Sequence, residues 1–176
     1  MAIITSSAVI RSLSLFHISL AFFFLTSPST VADQSLVFVF GEAMGLPPAP
    51  AFDSRSAPTA FLGVLFALLG ISDLTATSMH EELSVLYWSA QAPVRSAFFF
   101  ILAGWMLLSR PMEGSTITSS RGGYKNREFG GELKNNIVFT WAFVEMLIWF
   151  WTFITLRDER RQLQVAAEIK RAQEDM

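Results

Sequence analysis

The sequence predicts an all-α fold: an integral membrane bundle of four transmembrane helices, with a short interfacial helix and a charged C-terminal helix. Three observations predict it. Hydrophobic residues make up 52% of the chain and charged residues 16%, against about a quarter charged in soluble domains, and mean hydropathy is +0.42. Apolar stretches of roughly 20 residues, the length that crosses a bilayer at 1.5 Å per residue, recur along the chain. Inside those stretches stand isolated ionisable residues: Arg11, His17, Asp73, Arg95 and Glu145. An ionised side chain in hydrocarbon costs about 2.5–3.5 kcal/mol on insertion scales. Each must therefore be paired, protonated or turned toward other helices.

The first span covers about residues 3–25 and is interrupted by Arg11 and His17. The same stretch has the regions of a secretory signal peptide: Arg11, the apolar Leu13–Leu25 and the small residues Thr30, Val31 and Ala32, with cleavage after Ala32. The distance of Arg11 from the N-terminus favours a span instead. Residues 33–45 predict a helix too short to cross, capped by Asp33. Its Leu36, Val37, Phe40 and Met44 approximate helical spacing against Gln34 and Glu42, which makes it interfacial or re-entrant. Pro47, Pro48 and Pro50 then enforce an extended connector.

The second span, 58–77, opens on Pro58, a residue suited to a helix's first turn. The third, 88–108, starts from the interfacial anchors Tyr87 and Trp88 and stops at Ser109-Arg110-Pro111. Residues 110–135 hold Gly114, Gly122, Gly123, Gly130 and Gly131 among many Ser and Thr, and read as a flexible loop. The fourth span, 136–156, carries Trp141, Trp149 and Trp151 around Glu145 and ends at Arg157-Asp158-Glu159-Arg160-Arg161. The domain reading is thus a transmembrane unit over 1–160 and a charged tail over 161–176. Four spans place both termini on one side. Arg157, Arg160, Arg161, Lys170 and Arg171 there balance Arg55, Arg110, Arg121, Lys125, Arg127 and Lys134 on the other, so the positive-inside rule gives no bias. The Arg cluster abutting the fourth span points to a cytosolic tail.

Composition also excludes. There is no cysteine, hence no disulfide, thiolate nucleophile or thiolate metal site. A net charge of −2 with no long basic block gives no footprint for nucleic acid. The seventeen Phe residues suit helix surfaces facing acyl chains.

Helical spacing sorts the polar residues onto faces. Ser7, Arg11 and Ser14 share one face of the first span, with His17 a turn further round. Ala60, Gly63, Ala67 and Gly70 form a small-residue stripe on the second, with Asp73 and Thr77 at its edge; such stripes let membrane helices approach closely. Gln91 and Arg95 align on the third span, Glu145 and Thr152 on the fourth. Arg11, His17, Asp73, Arg95 and Glu145 then form a buried polar network, with Arg95 or Arg11 as the partner expected for Glu145. Gln91 and Pro93 suggest a shallow helix start from which Arg95 snorkels. Interhelical pairing is the expected role of the network. The alternative is a path for protons or ions in which His17 shuttles. No nucleophile–base pair stands out, Gly122-Gly123-Tyr124-Lys125 lacks the strand of a phosphate loop, and His80-Glu81-Glu82 reads as a solvated acidic loop rather than a metal site. The expectation is a protein without enzymatic activity, cofactor or metal, whose partners are the lipid bilayer and another membrane protein.

Arg11-Ser-Leu-Ser-Leu-Phe-His17, Leu25-Thr-Ser-Pro28, Ala32-Asp33-Gln34 and Gly41-Glu-Ala-Met-Gly-Leu-Pro47 run in order along the first half. Leu62-Gly-Val-Leu65, Leu69-Gly-Ile-Ser-Asp73 and Tyr87-Trp-Ser-Ala-Gln-Ala-Pro-Val-Arg95 follow. As a set they resemble the fungal "increased loss of mitochondrial DNA" family of small membrane proteins, over roughly Met1 to Leu108 and the fourth span. The resemblance implies a multi-span protein of the endoplasmic reticulum membrane whose loss affects maintenance of the mitochondrial genome. It brings no catalytic residues with it. The first 30 residues carry a single Arg and no amphipathic basic face, unlike a mitochondrial presequence. The expected function is therefore that of a non-enzymatic subunit or adaptor of a larger membrane complex, tied to mitochondria indirectly through lipid handling, ion balance or organelle contacts.

Overall fold

A computed structural model describes residues 5–108 and 130–174. Most of the loop expected over 110–135, and the first two residues of the expected first span, lie outside the described residues. Among the described residues all regular elements are helical.

Helix α1 spans Ser6–Thr26, with the Thr5 side chain accepting from the Ala8 amide. A single turn, α2 (Ser29–Ala32), follows Pro28, and α3 spans Ser35–Ala43. Asp33 does not cap α3 as expected: the turn that begins after Pro28 has already brought it to near-helical backbone, and it closes α2. Gln34 starts α3 from an extended backbone without a side-chain cap. Helix α4 covers Ala57–Ala76, entered through a capping box in which Ser56 and Thr59 satisfy each other's amides, with Pro58 in the first turn.

Helix α5 covers Glu81–Leu108 and begins a full two turns before the expected start. Glu81 and Glu82 sit in its first turn, where carboxylates complement the helix dipole. Pro93 therefore lies mid-helix, where it removes the amide that would bond the Ser89 carbonyl. Helix α6 is continuous over Asn136–Glu174 and passes through the expected boundary at residue 160 without a break. Its start is capped by Asn135, whose Oδ1 accepts from the Val138 amide at 3.0 Å. Four of these helices, α1, α4, α5 and α6, are long and apolar enough to cross a membrane.

Their packing is antiparallel in sequence. Helix α1 lies against α4, α5 against α6, and α1 also meets α6. Gly63 and Gly70 set the first contact. A Cβ at Gly63 would stand 2.9 Å from Leu25 Cγ and 3.1 Å from the Ala21 carbonyl; one at Gly70 would stand 2.7 Å from the Ser14 carbonyl and 3.2 Å from His17 Cβ. At Gly70 the contact is with backbone and leaves room for glycine alone, while at Gly63 the Leu25 side chain would have to shift. Ala60 and Ala67, the other members of the stripe, are half-buried beside that contact. The segment between α1 and α4 folds over one end of the bundle. Phe40 packs on Phe143 with ring centroids 5.1 Å apart, and the Pro47 carbonyl accepts from the Asn136 amide. Leu36, Phe38 and Val39 of α3 are exposed, as befits a helix lying at an apolar boundary. Large apolar side chains such as Phe61, Leu68, Phe100 and Ile101 point outward from the long helices, the surface a bilayer requires.

Candidate functional site

Sequence periodicity put five ionisable residues on helix faces; the structure places four of them at the centre. His17 of α1 and Glu145 of α6 are buried and bonded to each other, His17 Nε2 to Glu145 Oε1. The second oxygen of Glu145 accepts from Trp149 Nε1 at 2.8 Å, one turn along the same helix. Both carboxylate oxygens are thereby partnered in a site cut off from solvent. An unpaired carboxylate would be far costlier in such a site. His17 Nδ1 has no hydrogen-bond partner among the described residues.

Asp73 of α4 and Arg95 of α5 form the second pair. Two parallel bonds, 2.6 and 2.8 Å, join the guanidinium to the carboxylate, the fork geometry that makes Arg–carboxylate pairs strong. The guanidinium carbon lies 4.6 Å from the Trp149 ring and 5.4 Å from the Trp88 ring. Those indoles stack on each other at 5.6 Å. Cation–π attraction reaches about 2 kcal/mol where the cation is desolvated, and here Arg95 is only 21% exposed. The pairs are linked through one residue: Trp149 donates to Glu145 and offers its ring to Arg95. A single chain of contacts therefore runs Asp73–Arg95–Trp149–Glu145–His17 and touches all four long helices.

Three expectations are corrected. Glu145 is not paired with Arg95 or Arg11, because His17 reaches it first across the α1–α6 contact. Arg95 does not snorkel from a helix start, since α5 begins at Glu81 and carries Arg95 well inside. Arg11 is exposed and outside the buried network: the buried face of α1 runs through Ile10, Leu13, Ser14, His17 and Ala21, and Arg11 falls beside it. Its Nη2 donates to the Thr77 carbonyl at 3.4 Å. Trp149 and Trp88 were missed as members of the site. Trp149 lies four residues from Glu145, a spacing that signals a shared helix face, and this was the available clue.

Above the centre, toward the end of the bundle that holds the N-terminus of α1, polar contacts continue. The Ser6 amide donates to Glu159 Oε1 at 2.8 Å, and the Ser6 hydroxyl donates to Glu159 Oε2. A hollow of about 430 Å³ opens there, lined by residues that include Arg11, Thr77, Trp88, Thr155 and Glu159. His80, Glu81 and Glu82 are exposed at the start of α5, and among the described residues no cluster of three potential metal ligands occurs.

The fold and its centre define a class: an all-helical protein with four helices of membrane-spanning length, joined by an Arg–Asp ion pair and a His–Glu hydrogen bond between them. The chain belongs to the family described as increased loss of mitochondrial DNA protein 1, whose profile matches residues 4–166. It is 26% identical over 154 residues to protein ilm1 of Schizosaccharomyces pombe, covering 85% of this chain and 82% of that protein. It is 27% identical over 147 residues to protein ILM1 of Saccharomyces cerevisiae, covering 84% of this chain but 62% of that longer protein. No solved structure matches. The matched region takes in the whole buried centre and ends within the exposed part of α6.

Proposed function

We propose that this protein is a non-enzymatic subunit or adaptor of a larger complex in the endoplasmic reticulum membrane, needed indirectly for mitochondrial genome maintenance. The family name supplies the mitochondrial link; the compartment is the one the sequence resemblance implies. One observation carries the adaptor reading. The ionisable groups buried among the long helices are matched to one another, Asp73 with Arg95 and Glu145 with His17, which suits holding helices rather than a substrate. Beyond them α6 runs on as an exposed, charged helix from Arg160 to Glu174, a surface suited to docking. The mitochondrial effect then follows through lipid handling or organelle contacts governed by the partner. Extraction in mild detergent followed by sizing tests this: the protein should migrate in an assembly much larger than its own mass. Migration as a lone monomer would count decisively against an adaptor.

The rival reading is a small ion or proton conductor. Its support is the polar hollow that reaches Trp88, one stacked ring away from Arg95. Purified protein in liposomes would then pass a pH- or voltage-dependent flux that Glu145→Gln abolishes. A flux with those properties would displace the adaptor reading.

A further inference from the structure

Helix α6 sorts its charges by face where the apolar run ends. Arg157, Arg160, Arg161 and Gln164 recur at the spacing of one helical face. With Phe153, Leu156 and Ser89 of α5 they line a groove of about 220 Å³. Asp158, Glu159 and Gln162 turn the other way, into the hollow beside Ser6 and Arg11, where Glu159 is held by Ser6. Among the described residues no carboxylate lines the groove, and the three guanidiniums enter neither of the two ion pairs there. Three like charges converge within about one turn and repel one another.

We propose that this groove binds the phosphate of an anionic phospholipid headgroup. Guanidinium forks match phosphate oxygens in pairs. The groove joins a basic rim to an apolar wall of Phe153 and Leu156, so a phosphate at the Arg level places its acyl chains along the helices below. Basic pockets between membrane helices at headgroup depth bind anionic lipids in this way. A soluble anion needs no apolar wall, and an acidic peptide would leave that wall without acyl chains. The proposal rests on the four long helices lying in a bilayer and is independent of the adaptor reading.

The test is thermal unfolding of the full-length protein in an uncharged detergent, titrated with short-chain phosphatidate, phosphatidylcholine of the same chains, inorganic phosphate or a polyglutamate peptide. Phosphatidate should stabilise at concentrations about tenfold or more below phosphatidylcholine, and the loss of three guanidinium contacts in Arg157→Gln/Arg160→Gln/Arg161→Gln should weaken it by about tenfold or more. Lys170→Gln/Arg171→Gln should leave the response unchanged, since those residues lie outside the groove. Should the triple variant fold poorly, Arg160→Gln alone should still weaken the response by about threefold or more. An equal response to inorganic phosphate would make the groove a soluble-anion site and overturn the lipid assignment. A response to polyglutamate but not phosphatidate would overturn it in favour of an acidic protein segment. Equal responses to both lipids, or full binding by the variants, would also overturn it. Alkaline carbonate extraction of the source membranes checks the bilayer premise separately: release into the supernatant would remove that premise.

Discussion

The buried centre depends on a few atoms whose removal has unequal consequences. Glu145→Leu leaves the His17 Nε2 and the Trp149 Nε1–H without partners, and breaking a buried pair from one side costs about 3–5 kcal/mol in soluble cores. Adding His17→Leu should restore much of that loss in denaturation measured in detergent, whereas adding Arg95→Leu should not. Rescue by Arg95→Leu instead would show that Glu145 pairs with Arg95 and not with His17. Arg95→Lys tests the other half of the chain. Lysine keeps the charge but loses the two-pronged bond to Asp73 and the flat face set against Trp149, so stability should fall by about 1–3 kcal/mol. If Arg95→Lys melts like the parent, a point charge is sufficient there and the stacking contributes nothing.

Between helices, backbone approach decides more than side-chain bulk. Gly70→Val would press a branched side chain against the Ser14 carbonyl and the His17 Cβ, and overpacking of this kind costs about 1–3 kcal/mol. Gly104→Ala meets nothing within 4 Å and should be neutral in the same melting assay; equal effects would show that the α1–α4 contact is looser than described. Deleting Gln162–Met176 should leave insertion and melting of the bundle unchanged while reducing the mass of any assembly it enters. Degradation or mis-insertion of the truncated chain would instead place the tail within the fold. The number of long helices was legible because each contains an apolar run of about 20 residues broken by at most two ionisable side chains, and the glycine stripe because its period is helical. The pairing was not. Periodicity says which face a residue occupies, yet not which helix lies opposite, and His17 and Glu145 stand 128 positions apart. Trp149 was hidden for another reason: tryptophans near membranes commonly serve as interfacial anchors, and nothing local separates that use from a bond to a buried carboxylate. The early start of α5 was masked by the polar mixture Glu81-Glu82-Leu83-Ser84, which lowers hydropathy without lowering helix propensity.

Taken whole, the four long helices are tied together crosswise, α4 to α5 through Asp73 and Arg95 and α1 to α6 through His17 and Glu145. The absence of cysteine makes its arrangement across a bilayer directly measurable. Thr5→Cys and Gln162→Cys should react with an impermeant thiol reagent from one side of sealed vesicles, and Ala51→Cys from the other, because α1 and α6 run antiparallel and α3 is too short to cross. Labelling of all positions from a single side would rule out four crossings. One further property belongs to α6, which contains neither glycine nor proline from Asn136 to Glu174 and is helical without a break over that length. At 1.5 Å per residue it is a shaft roughly 58 Å long, with Glu145 and Trp149 near one end and the exposed tail at the other. A partner that grips and twists the tail therefore applies torque to the residue on which both buried pairs lean. Gly substitutions at Gln162 and Leu163 would act as a universal joint: spin labels at Lys170 and near Trp149 should reorient together in the parent protein and independently once the joint is cut.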